Sequence, residues 1–172
     1  MTAMERFHLH ADPEAARALA TALFRSVMPG LAAMLPRSAE ITHVGSTACP
    51  GLETRGDLDI LVRVPPDRFP EAEAALAGAF ARNTGSIRTG DFAAFEMTGT
   101  SMPVGIQLAA TGGAFDHFHL FAAALSAHPA LVDGFNEIKR LFDGQAMADY
   151  RAAKALFINA VLDGIARGEI PL

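Results

Sequence analysis

The chain has 172 residues, 51% of them hydrophobic and 19% charged, with a net charge of −5. This composition excludes a disordered chain and supplies the core of one domain, expected over 1–172. Basic residues are few and scattered, which makes nucleic acid a poor partner, whereas small phosphorylated ligands stay open because metal ions offset an acidic site.

At the N-terminus, Met1 to Arg6 lacks the basic start and long apolar run of a signal peptide. No later apolar stretch reaches the ~20 residues that span a bilayer. A cytoplasmic protein without a membrane partner is expected. The single cysteine, Cys49, builds neither a disulfide framework nor a thiolate zinc site and fits a reducing compartment.

Asp12-Pro13-Glu14 reads as a helix start, with Asp12 as cap, Pro13 in the first turn and Glu14 at the positive dipole end. Leu19, Leu23, Phe24, Val27, Met28 and Leu31 recur at helical spacing, and Pro29-Gly30 is expected to end or kink the helix before a short continuation to Leu35. Ala39 to Val44 reads as a strand and Thr47 to Arg55 as a loop around the turn pair Pro50-Gly51. Leu58 to Val64 is a largely apolar and so central strand, ended by Pro65-Pro66-Asp67. Phe69 to Phe80 is an alanine-rich helix. Phe92 to Thr98 and Met102 to Ala109 flank Gly99-Thr100-Ser101 as a hairpin. After Gly112-Gly113 come three helices, Phe115 to Ala127, Pro129 to Phe142 and Ala148 to Ile165. The layout is α+β (α/β), a short mixed sheet covered by helices, with a helical C-terminal part.

Asp57 and Asp59 stand two apart, which on a strand aims both carboxylates at one face. Such a pair can share Mg²⁺, with phosphate and water completing the coordination. The plainer alternative is that Asp57 ends the loop and Asp59 is a solvated strand residue. Gly45-Ser46 precedes them after the β-like pair His43-Val44. Glycine allows close backbone approach to a phosphate, and serine adds a hydroxyl to free N–H groups; an ordinary turn is the commoner use of the same dipeptide.

The run His43-Val44-Gly45-Ser46-Thr47-Ala48-Cys49-Pro50-Gly51-Leu52, followed by Asp59-Ile60-Leu61-Val62, resembles the GrpB family, whose members look like relatives of the nucleotidyltransferase superfamily. His128-Pro129 with Lys139-Arg140, and Tyr150, Ala153, Lys154, Phe157 and Ile158, are similar to its helical segments. The resemblance covers about residues 40–165. It implies a nucleotidyltransferase fold, with Gly45-Ser46 and the acidic strand facing one cleft, and no known reaction. It also exposes departures. A third carboxylate is expected on the later strand, where Gln107 stands, with Glu96 on the preceding strand in reserve. An Arg-Asp pair is expected in the following helix, which here reads Ala122-Ala123.

Asp57 and Asp59 are therefore the candidate catalytic and Mg²⁺-binding residues, and His43, Gly45, Ser46, Thr47 and Lys154 the candidate substrate-binding ones. His43 either meets a phosphate or braces the loop, and Lys154 is either a phosphate-binding cation or a solvated lysine. Arg55 and Arg63 pair with the strand's carboxylates or contact phosphate. His117 and His119, two apart on a helix, diverge and make poor metal ligands, and Cys49 is read as packing. Three functions follow. The first is Mg²⁺-dependent nucleotidyl transfer to a small acceptor. The second is a ligand-binding or regulatory module that kept the fold and lost turnover. The third is an interaction protein, with a homodimer through the C-terminal helices.

Overall fold

The structure is a computed structural model that describes residues 5–172; residues 1–4 of the N-terminal stretch read above lie outside the described residues. Five strands form one mixed sheet in the order β1-β2-β5-β4-β3, comprising β1 (Glu40–Val44), β2 (Leu58–Val64), β3 (Ala81–Arg82), β4 (Phe92–Met97) and β5 (Val104–Ala110). β2 is interior, antiparallel to β1 and parallel to β5, and its five buried residues fit a strand covered on both faces. β4 and β5 form the expected hairpin, and β3 adds a two-residue edge that the sequence pattern did not disclose.

Alternation splits the sheet into two faces. Leu58, Ile60, Val62, Ile106 and Phe95 belong to the larger core, beneath α1 (Pro13–Met34) and α2 (Phe69–Ala79). Leu61, Ala94 and Ala109 face the other way, toward the phenylalanines ahead of and in α3 (Phe118–Ala127). α4 (Pro129–Phe142) and α5 (Met147–Ala166) pack on each other and on α3, with Phe135 and Phe157 stacked at 5.1 Å. The sheet thus has one sealed face and one that opens on a cleft between β1, β2, β5 and the helical C-terminal part.

The helix expected to end or kink at Pro29 is not ended there, because α1 runs on to Met34. Proline removes one helical N–H, but Pro29 lies on the exposed side, where water serves the orphaned carbonyl. Burial of Leu31 and Leu35 in the larger core holds the turn beyond it. Asp12 caps the start as expected, its Oδ1 accepting from Ala15 N at 2.9 Å. α3 begins at Phe118 rather than Phe115, since Gly113 N bonds Ala110 O and Asp116 N bonds Gly113 O in successive turns. No helix among the described residues is long and apolar enough to cross a membrane.

Candidate functional site in the cleft beside β2

The cleft starts where β1 ends. Gly45 has φ +79° and ψ −169°, a conformation available in practice to glycine alone. The chain then makes one 3₁₀ turn, Ser46–Ala48. Asp59 is paired across the sheet with Val44 and Gly105, so its side chain leaves on the cleft face beside the turn. A Cβ on Gly45 would collide with Asp59 Oδ2. The glycine therefore makes room for a carboxylate within this protein as well as for any ligand.

The turn is held from three sides. Thr47, buried, donates its hydroxyl to Asp57 O at 2.9 Å, and His43 Nε2 lies 2.9 Å from the Thr47 Oγ1 itself. Because the threonine proton is directed at Asp57 O, His43 is the donor and its ring carries the proton on Nε2. Burial and the nearby Arg17 keep that ring below the ordinary histidine pKa, and so neutral. Arg17, from α1, donates to Ser46 O at 3.2 Å, to Leu52 O at 3.2 Å and to Cys49 O. Asn136, from α4, bridges Gly51 O and Glu53 N at 2.8 Å each. Replacing Arg17 with alanine is expected to orphan these carbonyls and cost about 2–3 kcal/mol, read as a lower urea midpoint with an unchanged slope.

The acidic pair comes together in the cleft. Asp57 and Asp59 both line a cavity of about 420 Å³. Burial, then the adjacent Asp57 carboxylate, push the half-buried Asp59 up to about 6. The carboxyl binds its proton more tightly in the folded chain than in the unfolded one. Stability is therefore lost as pH rises from about 4 to about 6 and stays lowered above that window. Asp59→Asn is expected to raise stability by about 1–3 kcal/mol at pH 8 and to leave it unchanged at pH 3.5, as thermal melts across that range would show.

Gln107 Nε2 donates to Asp59 Oδ1 at 3.4 Å, and its Oε1 is buried without a partner. Arg55 donates to Asp57 Oδ2 at 2.7 Å, which decides its role in favour of the acidic pair. Arg63, on the same strand, turns instead to Asp116 at 2.6 and 2.9 Å and to Glu40 at 2.6 Å, away from the cavity. Glu96 pairs with Gly105 and so shares the face of Asp59, two strands away, but it is exposed and does not line the cavity. It is not a third carboxylate of this site. His119 lies 3.5 Å from Asp116 and His117 stacks on Phe118; neither lines the cavity.

Three residues of the C-terminal helices complete the lining. Lys154 and Tyr150, four apart on α5, both line the cavity. Lys139, from α4, which the sequence marks only as part of a family-like segment, is the most unusual group here. It is 1% exposed, its Nζ donates to Ser46 Oγ and Glu53 O, and it lies 4.5 Å from the Phe135 ring centroid. Burial, then Lys154, lower it to about 7. Its place in an amphipathic helix gave only a hint: a lysine on the buried face shared with Phe135 and Asn136. Of the predicted substrate-binding set, His43, Gly45, Ser46 and Lys154 reach the cavity; Thr47 does not and acts as a brace.

Residues 6–164 match the family model described as GrpB protein. The chain belongs to the GrpB family. It is 33% identical over 141 residues to the UPF0157 protein VC_A0354 of Vibrio cholerae, covering 81% of this chain and 74% of that one. Its backbone is similar to that of the conserved protein GrpB from Enterococcus faecalis, with a TM-score of 0.66 and 14% identity over 85% of this chain and 94% of that one. It is also similar to the MgGTP-bound Cid1 poly(U) polymerase, with a TM-score of 0.50 and 12% identity. There it covers 76% of this chain but only 43% of the polymerase. At these identities the solved structures establish the fold, which is nucleotidyltransferase-like.

The donors in this GrpB-family cleft are enough for one cation at most. Asp57 and Asp59 line it, and so does Gln107, whose Nε2 faces Asp59 while its Oε1 is buried without a partner. That donor set suits one hard cation completed by phosphate and water. Among the described residues no three His, Cys, Asp or Glu side chains gather as a metal cluster, so a pair of cations lacks its ligands.

Proposed function

We propose that the cleft binds the triphosphate of a nucleotide together with one Mg²⁺ and transfers the nucleotidyl group to a small acceptor. The observation that carries this is that Asp57 and Asp59 line one cavity together with Ser46, Lys139 and Lys154. Asp57 and Asp59 would hold the cation, which supplies charge neutralisation for the phosphates. Ser46 accepts from Lys139, so its own proton is free to point at a phosphate oxygen. Gly45 leaves the backbone open to close approach, Lys154 adds a second positive charge, and Asp57 exchanges Arg55 for the cation on loading. Catalysis then rests on positioning and charge rather than on a covalent step.

Gln107 supports a second reading, a module that binds the same ligand without turnover. An amide contributes no charge where a carboxylate would, and magnesium gives up water reluctantly. A thermal melt with ATP and Mg²⁺ tests the shared part. The melting temperature is expected to rise, and Asp59→Asn is expected to abolish the rise; no shift with any common triphosphate would overturn both readings. Release of pyrophosphate, measured with candidate acceptors, separates them. A ligand shift that survives Asp57→Asn without divalent metal favours the binding module. A homodimer through the C-terminal helices is compatible with either and is read by light scattering.

A further inference from the structure

The cavity has two unlike sides. The polar side carries Ser46, Lys139 and Lys154 with the acidic pair. Lys139 ends on two neutral acceptors, a hydroxyl and a carbonyl, rather than on a carboxylate. A buried ammonium so placed is stabilised by an incoming anion.

The other side is a wall of Phe118, Phe121, Ala122 and Leu125 from α3 and Ile158 from α5. Phe118, Phe121, Ala122 and Ile158 stay half-buried, so their apolar surface is not used up in the core. Ser126 is the polar side chain that α3 contributes to the lining, and its hydroxyl is already donated to Ala122 O at 3.1 Å. Hydroxyls of a sugar-like body laid on this wall find no partner there, and burying them unpaired is costly. An alkyl or aryl body gains from the same burial. The volume, about 420 Å³, suits a small molecule with both parts.

We infer that the cleft takes a phosphorylated molecule with an apolar body, its phosphate end against Ser46, Lys139 and Lys154 and its alkyl or aryl part along the Phe118–Ile158 wall. This rests on the proposed reading of the polar side as a phosphate site, but not on nucleotide turnover or on a metal.

Calorimetric titration without divalent metal, using phosphate, butyl, hexyl and octyl phosphate, and octanol, tests it. Affinity is expected to rise about two- to fourfold per added methylene. Octyl phosphate is expected to bind at least tenfold more tightly than octanol. Ala122→Gln, a change on a half-exposed helix position, is expected to flatten the chain-length dependence. Lys139→Met is expected to erase the advantage of octyl phosphate over octanol. Equal affinity along the series, equal binding of octanol and octyl phosphate, or an undiminished slope in Ala122→Gln would each overturn the inference. A flat series beside a clear Mg²⁺-ATP shift sinks this inference alone. A steep series without that shift upholds it and sinks the nucleotide reading.

Discussion

Gly45→Ala is expected to destabilise the protein by about 2–5 kcal/mol and to abolish ligand binding. Two costs add. A φ of +79° with an extended ψ lies where an L side chain is strained. The added methyl also collides with Asp59 Oδ2 and lies 3.1 Å from its Cβ and Cγ. Neither partner can yield cheaply. Asp59 is held by the sheet and by Gln107, and the turn by Arg17 and Thr47. Gly99→Ala is the control. That glycine also has a positive φ, +76°, with nothing within 4 Å of a new Cβ, so it shares the left-handed φ without the collision. Urea denaturation of the two variants separates the terms. If Gly45→Ala costs no more than Gly99→Ala, the seating of the carboxylate against the turn is wrong.

The same contact explains what could and could not be read from the chain. The largely apolar run Leu58 to Val64 reads as a central strand, and the structure puts Asp59 on it and Asp57 in the loop just ahead of it, with both lining the cavity. The glycine turn was legible through the longer run His43 to Leu52, since Gly-Ser alone is most often an ordinary turn. The part of the site built by α4 was not. Lys139 meets Ser46 across 93 residues, and Asn136 meets Gly51 across 85. A local pattern carries no trace of a partner that distant. Arg17 shows the same limit, since a single arginine on an amphipathic helix reads as a solvated charge until the loop it serves is placed beneath it. Pro29 failed as a stop signal for a related reason. A local rule sets the cost of one lost hydrogen bond, while the burial of Leu31 and Leu35 that outweighs it is tertiary.

Lys139→Met should weaken binding of Mg²⁺-ATP about 10- to 100-fold while leaving the protein folded, a pairing of outcomes that a merely structural lysine would not give. The methionine side chain has similar length and fills the space beside Phe135, so no large cavity opens. The sign of the stability change follows from the shift. Lys139 is lowered from 10.5 to about 7, so the folded chain binds its proton less tightly than the unfolded one. Its cost to stability is full below pH 7 and disappears as pH rises toward 10.5. Removing the amine lifts that cost. It also orphans Glu53 O and takes a donor from Ser46, a loss that does not depend on pH. The melting temperature of the variant relative to the parent is therefore expected to be highest at pH 6 and to fall steadily toward pH 10. An incoming phosphate acts on the same equilibrium from the other side. By supplying the missing negative charge it draws the proton onto Lys139, so binding by the parent at pH 8 takes up protons and binding by Lys139→Met does not. Calorimetry in two buffers of different ionisation enthalpy reads that uptake directly. Equal uptake by the two proteins would place the phosphate elsewhere.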